Sequence, residues 1–381
     1  MSNHLVTIDS CNFCVPIAAL TNFALDKQQR LIEAHASAHD KVIVKGSSIF
    51  VLQIGSKWFF LDTDVNVSTA TDLDTGAVSN GKDYYIYACD NAGALKFLIS
   101  LNSTYPQGYT ASNSRKIGGF HTLCASVGTI SGHALSGYLA NEILPTSLWD
   151  LKHRPVCEPK GMVYDAALHK WVDIYMPSGT GANMVSVYNG FITVNKDWNT
   201  FVDYGHLVKK RLSWDHEFQH FALGSNEETI VYEEEYPEYT GGHIDTNERR
   251  MISNIGCEDC CGAIYQWQLD QSYSYFGGTH THTGGSHSHT ENTAASYTQN
   301  AQTAAANVGT LTSVDPKPPW SWKDLAAGRG GIYHQGDMGD VKAIAGGSDD
   351  YEAAGSQGRR MTEERWWKSV GCTARFVAEP L

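Results

Sequence analysis

A His-Glu-x-x-His pattern at residues 216–220 is the stretch whose residue types and spacing most directly suggest catalysis. On a helix, His216 and His220 lie one turn apart and could bind zinc, with Glu217 as the general base of a hydrolase. A catalytic zinc site needs a third protein ligand, and none stands out in the sequence. The longer form of the motif, with glycine three residues after the second histidine, is also absent. The pattern leaves both a zinc hydrolase and a chance match open.

Two His-x-His pairs form a second set of candidate metal ligands, in a stretch rich in glycine, serine and threonine. In a strand, residues i and i+2 point to the same side, so each pair presents two imidazoles on one face. If three chains ran parallel about an axis, one pair from each would suit an octahedral transition metal such as Fe, Ni or Zn. The alternative is a solvated histidine-rich loop. The four candidate ligands are His280, His282, His287 and His289.

Cysteine motifs and an acidic stretch are weaker candidates for metal binding. CEDCC at 257–261 and CNFC at 11–14 each have Cys-x-x-Cys spacing, but they lie far apart in the sequence. We therefore expect buried thiols or a local disulfide rather than a structural zinc. The carboxylates between Glu227 and Glu248 predict a solvated loop more than a metal site.

The elements that would position these residues are mainly strands in the N-terminal part of the chain. Residues 41–63 and 82–90 are rich in β-branched and aromatic side chains, and Gly46 and Gly55 suit hairpin turns. A short helix is expected at 25–40. Because no long amphipathic helix is evident here, we expect a β-sandwich.

The rest of the chain predicts a mixed domain. Residues 213–224 predict a helix that Ser213 or Asp215 caps and that Gly224 ends. Residues 271–318 hold so few apolar side chains that we expect a long loop or extended arm. The other predictions are strands at 172–176 and 189–194, and two domains at 1–155 and 156–381, with the first ~30 residues left unassigned.

Composition excludes several classes of protein. The chain has 381 residues, of which 42% are apolar and 18% charged, so it can form a core and is not disordered as a whole. Its 41 acidic residues outnumber 28 basic ones, which argues against nucleic-acid binding. No stretch approaches the roughly 18 apolar residues of a membrane helix, and MSNHLVTIDS does not resemble a secretory signal. Nine scattered cysteines exclude a small disulfide scaffold.

A series of motifs resembles the major tropism determinant family of phage receptor-binding proteins. The motifs occur in the order found in that family and cover most of residues 46–381. The pattern R-L-x-x-x-x-E-F-x-x-x-A-x-G and the terminal G-x-x-A-R are also similar to the wider C-type lectin branch that includes formylglycine-generating enzymes. The motifs are KDYYIYACDNAG, GYTASNSRKIGGFHTL, SLWDLKHRP, EPKGMVYDAALHKWVDIYM, RLSWDHEFQHFALGSNE, GAIYQW, GRGGIYHQ, and GRR followed by VGCTARFVAEPL.

The resemblance implies an α+β, β-rich fold in which a β-sandwich precedes a C-type lectin domain of the formylglycine-generating-enzyme-like branch, assembled as a homotrimer. It also implies host attachment at the tip of a phage tail fibre, by a protein made in the host cytoplasm. The partners would be a host surface receptor, protein or glycan, and other tail or baseplate proteins, without nucleic acid or membrane insertion. Receptor-binding residues carried over from the family are Ser348, Asp349, Asp350, Tyr351, Gln357, Arg359, Arg360, Glu363, Glu364, Trp366, Trp367 and Lys368.

Three further expectations follow from the resemblance. Some relatives diversify this segment with a retroelement, and the residue types here are compatible with that. The family lacks the two histidines of HEFQH, so Glu217 is expected to be structural, and no enzyme activity or required cofactor is expected. The oxidase branch needs a cysteine pair near the C-terminal core, where this chain has Cys372 alone. A zinc hydrolase and a purely structural fibre or baseplate subunit remain as alternatives.

Overall fold

The computed structural model describes residues 30–46, 50–232, 236–274, 307–310, 331–334, 339–348 and 354–381. These residues fall into two compact units. The first lies within Met1–Ser126, Tyr138–Tyr164 and Pro380–Leu381, and the second within Val127–Gly137 and Asp165–Glu379. The chain therefore passes from one unit to the other after Ser126, Gly137, Tyr164 and Glu379, and the division at 1–155 and 156–381 stays a prediction.

The first unit consists of three small sheets around one core. Its strands are β1 (Ile32–Ala34), β2 (Lys41–Val44), β3 (Phe50–Ile54), β4 (Lys57–Leu61), β5 (Val65–Ser68), β6 (Asp83–Asn91), β7 (Ala94–Ser100), β8 (Ser114–His121) and β9 (Trp149–Asp150). They form the sheets β1-β2-β5, β3-β4 and β7-β6-β8-β9, and Pro145–Ser147 forms a 3-10 turn. Alternating apolar side chains from all three sheets, such as Val42, Leu52 and Ile86, are buried in one hydrophobic cluster.

The helix expected at 25–40 is wrong for the described residues of that range. Ile32–Ala34 is a strand, in which Ile32 is paired with Val44 and fully buried. After it, the imidazole Nδ1 of His35 accepts the backbone N–H of Ala38, which makes a turn rather than a helix. Tertiary burial of Ile32 against the neighbouring strand overrides the helix propensity of this segment.

The second unit holds most of the remaining elements. Strand β10 (Met162–Asp165) begins in the first unit and ends at the first residue of the second. The strands of the second unit are β11 (Lys170–Asp173), β12 (Pro177–Ser178), β13 (Val185–Ser186), β14 (Arg211–Leu212), β15 (Tyr265–Ser274), β16 (Asn307–Thr310), β17 (Gly331–His334), β18 (Gly339–Gly346), β19 (Gly355–Glu364), β20 (Cys372–Ala374) and β21 (Phe376–Ala378). Its helices are α1 (Trp198–Leu207) and α2 (Asp215–Phe221), with a 3-10 turn at Gly181–Asn183.

A six-stranded sheet with the order β16-β17-β19-β18-β15-β20 forms the centre of this unit. β20 runs parallel to β15, and the next strand, β21, lies antiparallel between β11 and β14. The fully buried Arg375, between β20 and β21, donates to the side chain of Gln266 and to the backbone carbonyls of Asp173, Ile174 and Glu258. This guanidinium joins three separate chain segments, which is why the end of the chain belongs to the core.

The outcome for the predicted elements of this unit is mixed. The helix expected at 213–224 is confirmed as α2, but its N-cap is Trp214 rather than Ser213 or Asp215. The strand expected at 189–194 is an irregular ribbon with isolated bridges, and α1 was not predicted. The expected β-rich fold is confirmed, because the described part of the chain forms 21 strands against two α-helices and two 3-10 turns. Among the described residues, no helix is long and apolar enough to cross a membrane.

Candidate functional site

The candidate site is the segment 365–371, which connects the end of β19 to the start of β20. β19 pairs with β18, and β20 pairs with β15, so both ends of the segment enter the same sheet. Between them, Trp366, Lys368 and Val370 are exposed, whereas the residues that alternate with them are half-buried. Turns at 365–366 and 370–371 shape the segment, and its three exposed residues form a row that presents aromatic, cationic and apolar side chains to solvent.

The inward-facing Trp367 anchors the segment to the core. Its ring meets the buried ring of Trp267 edge to face, with 5.9 Å between the centroids. Arg360 of β19 places its guanidinium over the rings of Trp367 and Tyr265, at 5.7 and 6.0 Å from their centroids. Glu363 binds the same guanidinium at 2.7 Å. These contacts fix the half-buried side of the segment and leave Trp366 free to face outward.

The N-terminus of α1 holds the outer side of the segment. The backbone N–H of Trp198 donates to the carbonyl of Arg365, and the N–H of Asn195 donates to the carbonyl of Ser369. Asp197 caps the helix through Thr200 and lies 3.5 Å from the ammonium of Lys368. Although partial burial opposes the charged form, the Thr200 bonds and the Lys368 charge together lower the pKa of Asp197.

Several of the predicted receptor-binding residues face the interior of the described chain. The side chains of Ser348, Gln357, Arg359 and Glu363 are buried. Arg359 covers the ring of Phe218, donates to the carbonyls of Ser356 and Gly358 and pairs with Asp215, so its guanidinium is used within the fold. Asp349, Asp350 and Tyr351 lie outside the described residues. The receptor-binding role of the whole set stays a prediction.

The three motif residues of the HEFQH helix have different surroundings. His216 is exposed, and Glu217 is buried. Both carboxylate oxygens of Glu217 bind Arg211, at 2.6 and 2.7 Å, and one accepts the backbone N–H of Trp214 at 2.9 Å. His220 Nδ1 lies 2.7 Å from Asp165, and this bond raises the pKa of His220. Glu217 is thus part of an ion pair and a helix cap, as expected for a structural residue.

The other candidate metal ligands divide between buried thiols and undescribed residues. Cys257, Cys260 and Cys261 are free thiols with no exposed surface, and burial raises the pKa of Cys257 and Cys261 well above the ordinary value. In the acidic stretch, the buried Asp245 accepts the N–H groups of a turn rather than facing solvent. His280, His282, His287 and His289, with CNFC, lie outside the described residues. Within the described ranges, no three His, Cys, Asp or Glu side chains are grouped to hold a metal.

Three kinds of comparison with known proteins agree. Residues 33–150 match the family model of the Mtd second domain. The chain is 27% identical over 304 residues to the tail fiber receptor-binding protein of Bordetella phage BPP-1, covering 71% of each protein. Among solved structures, it matches the Major Tropism Determinant M1 variant over 94% of this chain and 85% of the other, with a TM-score of 0.64 and 21% identity. The U1 variant matches equally well over 99% and 92%.

These matches define the chain first by class, as a β-rich protein whose residues 33–150 match the Mtd second domain and whose fold is the C-type lectin fold of the matched structures. Within that class its resemblance is to the major tropism determinant, a relative that is a tail-fibre receptor-binding protein. The resemblance and the fold class predicted from the sequence motifs are confirmed. The sequence did not predict Val370, Asn195 and Asp197 at the candidate site, although the spacing of Asp197 and Thr200 is a recognisable helix cap.

Proposed function

We propose that this chain is a phage tail-fibre receptor-binding protein that attaches the virion to its host through the segment 365–371. The observation that carries the proposal is the similarity to a tail-fibre receptor-binding protein over 71% of the chain. The exposed row of Trp366, Lys368 and Val370 supports it, because exposed aromatic and cationic side chains on a rigid support are the residue types of binding hot spots.

The mechanism is binding without chemistry, strengthened by repetition. One face of this size binds weakly, and copies held together on one fibre bind a surface at a high effective concentration. We propose a homotrimer at the fibre tip, joined to other tail or baseplate proteins, after synthesis in the host cytoplasm. The receptor-binding set comprises the twelve residues carried over from the family, with Trp366 and Lys368 as its most exposed described members.

A transition metal at the His-x-His pairs is a separate part of the proposal and rests on their spacing. Native mass spectrometry with metal analysis on the same sample tests it. A mass near three times 41.8 kDa with one or two metal ions per trimer supports both the trimer and the metal. A trimer without metal contradicts the metal site alone, and a monomer with one zinc contradicts the trimer.

The attachment function is tested by binding of the purified full chain to cells of the host that the virus infects. Trp366→Ala should weaken binding by about tenfold or more, as expected for the loss of one hot-spot residue. Trp58→Ala is the matched control, since Trp58 is an exposed tryptophan of the first unit. Failure of the unmodified protein to bind would favour a purely structural fibre subunit. Equal binding by the Trp366 variant would remove this segment from the contact.

A further inference from the structure

An exposed aromatic pair lies on the irregular ribbon at 189–194, where the sequence predicts a strand. Residues 189–193 run antiparallel to 238–240, and Phe191 and Tyr239 form a bridge. Three backbone bonds hold the ribbon: Asn189 N–H to the Thr240 carbonyl, Thr240 N–H to Gly190, and Ile192 N–H to Glu238. The pair is therefore positioned by the backbone and not by a loop tip.

The two faces of this ribbon differ sharply in their surroundings. Ile192 points inward and is buried in a cluster with Met176 and Met251. Because neighbouring residues of an extended chain point to opposite sides, Phe191 points outward, where 61% of its surface is exposed. Tyr239 is 48% exposed, and its ring meets that of Phe191 edge to face at 5.9 Å. The scaffold thus holds a rigid apolar projection in solvent.

Both strands of the ribbon lead directly to the candidate receptor-binding segment. The N–H of Asn195 donates to the carbonyl of Ser369, and the hydroxyl of Thr373 donates to the carbonyl of Thr193. On the other strand, the Tyr236 ring packs on Gly371 so closely that a methyl group there would lie 2.8 Å from it. Four residues of extended chain span at most about 14 Å, so Phe191 lies within that reach of the segment.

We propose that Phe191 and Tyr239 form a second, fixed contact area for the host receptor, and that the receptor presents a protein surface there. This inference rests on the proposed function, which it extends beyond the C-terminal segment. The continuity of the ribbon with the segment allows one partner to cover both. The segment itself also carries the exposed apolar side chains of Trp366 and Val370.

The chemistry of the pair selects protein over glycan. Phe191 carries no polar side-chain atom to bind a sugar hydroxyl, and the Tyr239 hydroxyl is the single polar side-chain group of the pair. Aromatic side chains of this kind instead fill apolar pockets at the centre of protein interfaces, where they act as anchors.

The test compares Phe191→Ala and Tyr239→Ala with Leu207→Ala in the binding of the full chain to host cells. Leu207 on α1 is the matched control, since it is a large apolar side chain with the same 61% exposure as Phe191. We expect binding to fall about tenfold for each ribbon variant and by less than about twofold for the control, at unchanged thermal midpoint. Wild-type binding by both ribbon variants would overturn the inference.

Two further measurements separate the inference from its competitors. Native mass of the Phe191 variant should equal that of the unmodified protein, and a smaller assembly would show that the pair lies between copies instead. Protease treatment of the cells should remove the Phe191-dependent part of binding, whereas periodate treatment should leave it. The opposite result would show that the receptor presents a glycan, and not a protein surface, to this pair. If the unmodified protein fails to bind untreated cells, the attachment function itself is wrong. If Trp366→Ala loses binding and both ribbon variants keep it, the attachment function stands without this second contact area.

Discussion

Replacement of Glu217 by glutamine separates a structural role from a catalytic one. The substitution keeps the shape of the side chain and one carbonyl oxygen, but places an amide N–H₂ against a guanidinium donor of Arg211. It removes one of the two charged bonds at 2.6 and 2.7 Å and weakens the acceptor of the Trp214 N–H at the helix cap. The expected result is a less stable second unit in which the segment 365–371 is intact.

The magnitude follows from these contacts. A hydrogen bond to a charged group contributes about 1.5–3 kcal/mol, and a helix cap about 1 kcal/mol. Arg211 is 28% exposed and also reaches Glu379, so water and this second carboxylate recover part of the loss. We expect a net destabilisation of about 2–3 kcal/mol. For a unit of this size, that lowers the thermal midpoint by roughly 5–10 °C.

Differential scanning calorimetry of Glu217→Gln, with His216→Gln as the exposed neighbouring control, measures this effect. The control should stay within about 0.5 kcal/mol of the unmodified protein. The zinc-hydrolase alternative makes the opposite prediction, in which Glu217→Gln leaves the midpoint unchanged and abolishes hydrolysis. That result would refute the structural role of Glu217.

Three other predictions concern the same unit. The bond to Asp165 raises the pKa of His220. The stabilisation from this bond is therefore fully present below the unfolded pKa of about 6.5 and is lost as pH rises through the folded pKa. In denaturant unfolding, His220→Gln should lower the free energy of unfolding more near pH 5.5 than near pH 8.5. Arg375→Lys cannot satisfy four separate acceptors, and should cost on the order of 3–5 kcal/mol, seen as loss of soluble folded protein; an unchanged midpoint would contradict this. Cys257, Cys260, Cys261 and Cys372 are buried and should react with a thiol reagent only after unfolding, so rapid reaction in the folded protein would show that the core opens.

The predictable parts of this fold are those where local pattern and tertiary environment agree. The run KDYYIYACD predicted β6 because β-branched and aromatic residues fill a strand that lies between two others. Helix α1 has aromatic residues and Gly205 rather than strong helix formers, so only its Asp197 cap indicated it. Around 30–40 the propensity favoured a helix, and burial of Ile32 decided the result.

The candidate site shows the same limit at the level of side chains. The motifs located the C-terminal segment, since family resemblance is carried by the order of residues. They did not distinguish Arg359, which is buried against Phe218, from Arg360, which is half-buried over Trp367. Adjacent residues of a strand point to opposite faces of the sheet, so Arg359 and Arg360, which pair with Ala345 and Ile344 of β18, have different surroundings. Exposure of Phe191 likewise depends on which side of an irregular ribbon faces the core, and this requires the folded chain.

The pairing of the last strands constrains the way the protein is made. Arg375 binds the carbonyl of Ile174 across 201 residues of sequence, and β20 pairs with β15 across the stretch that holds the histidine-rich arm. Such non-local contacts must wait until residues 372–378 have left the ribosome, whereas the three sheets of the first unit use strands within residues 32–150. The first unit can therefore fold during translation, whereas the second unit completes its fold only after β20 and β21 have been synthesised. Premature termination upstream of β20 would leave the apolar side chains of Trp267 and Phe201 without their cover, and such chains should aggregate rather than assemble.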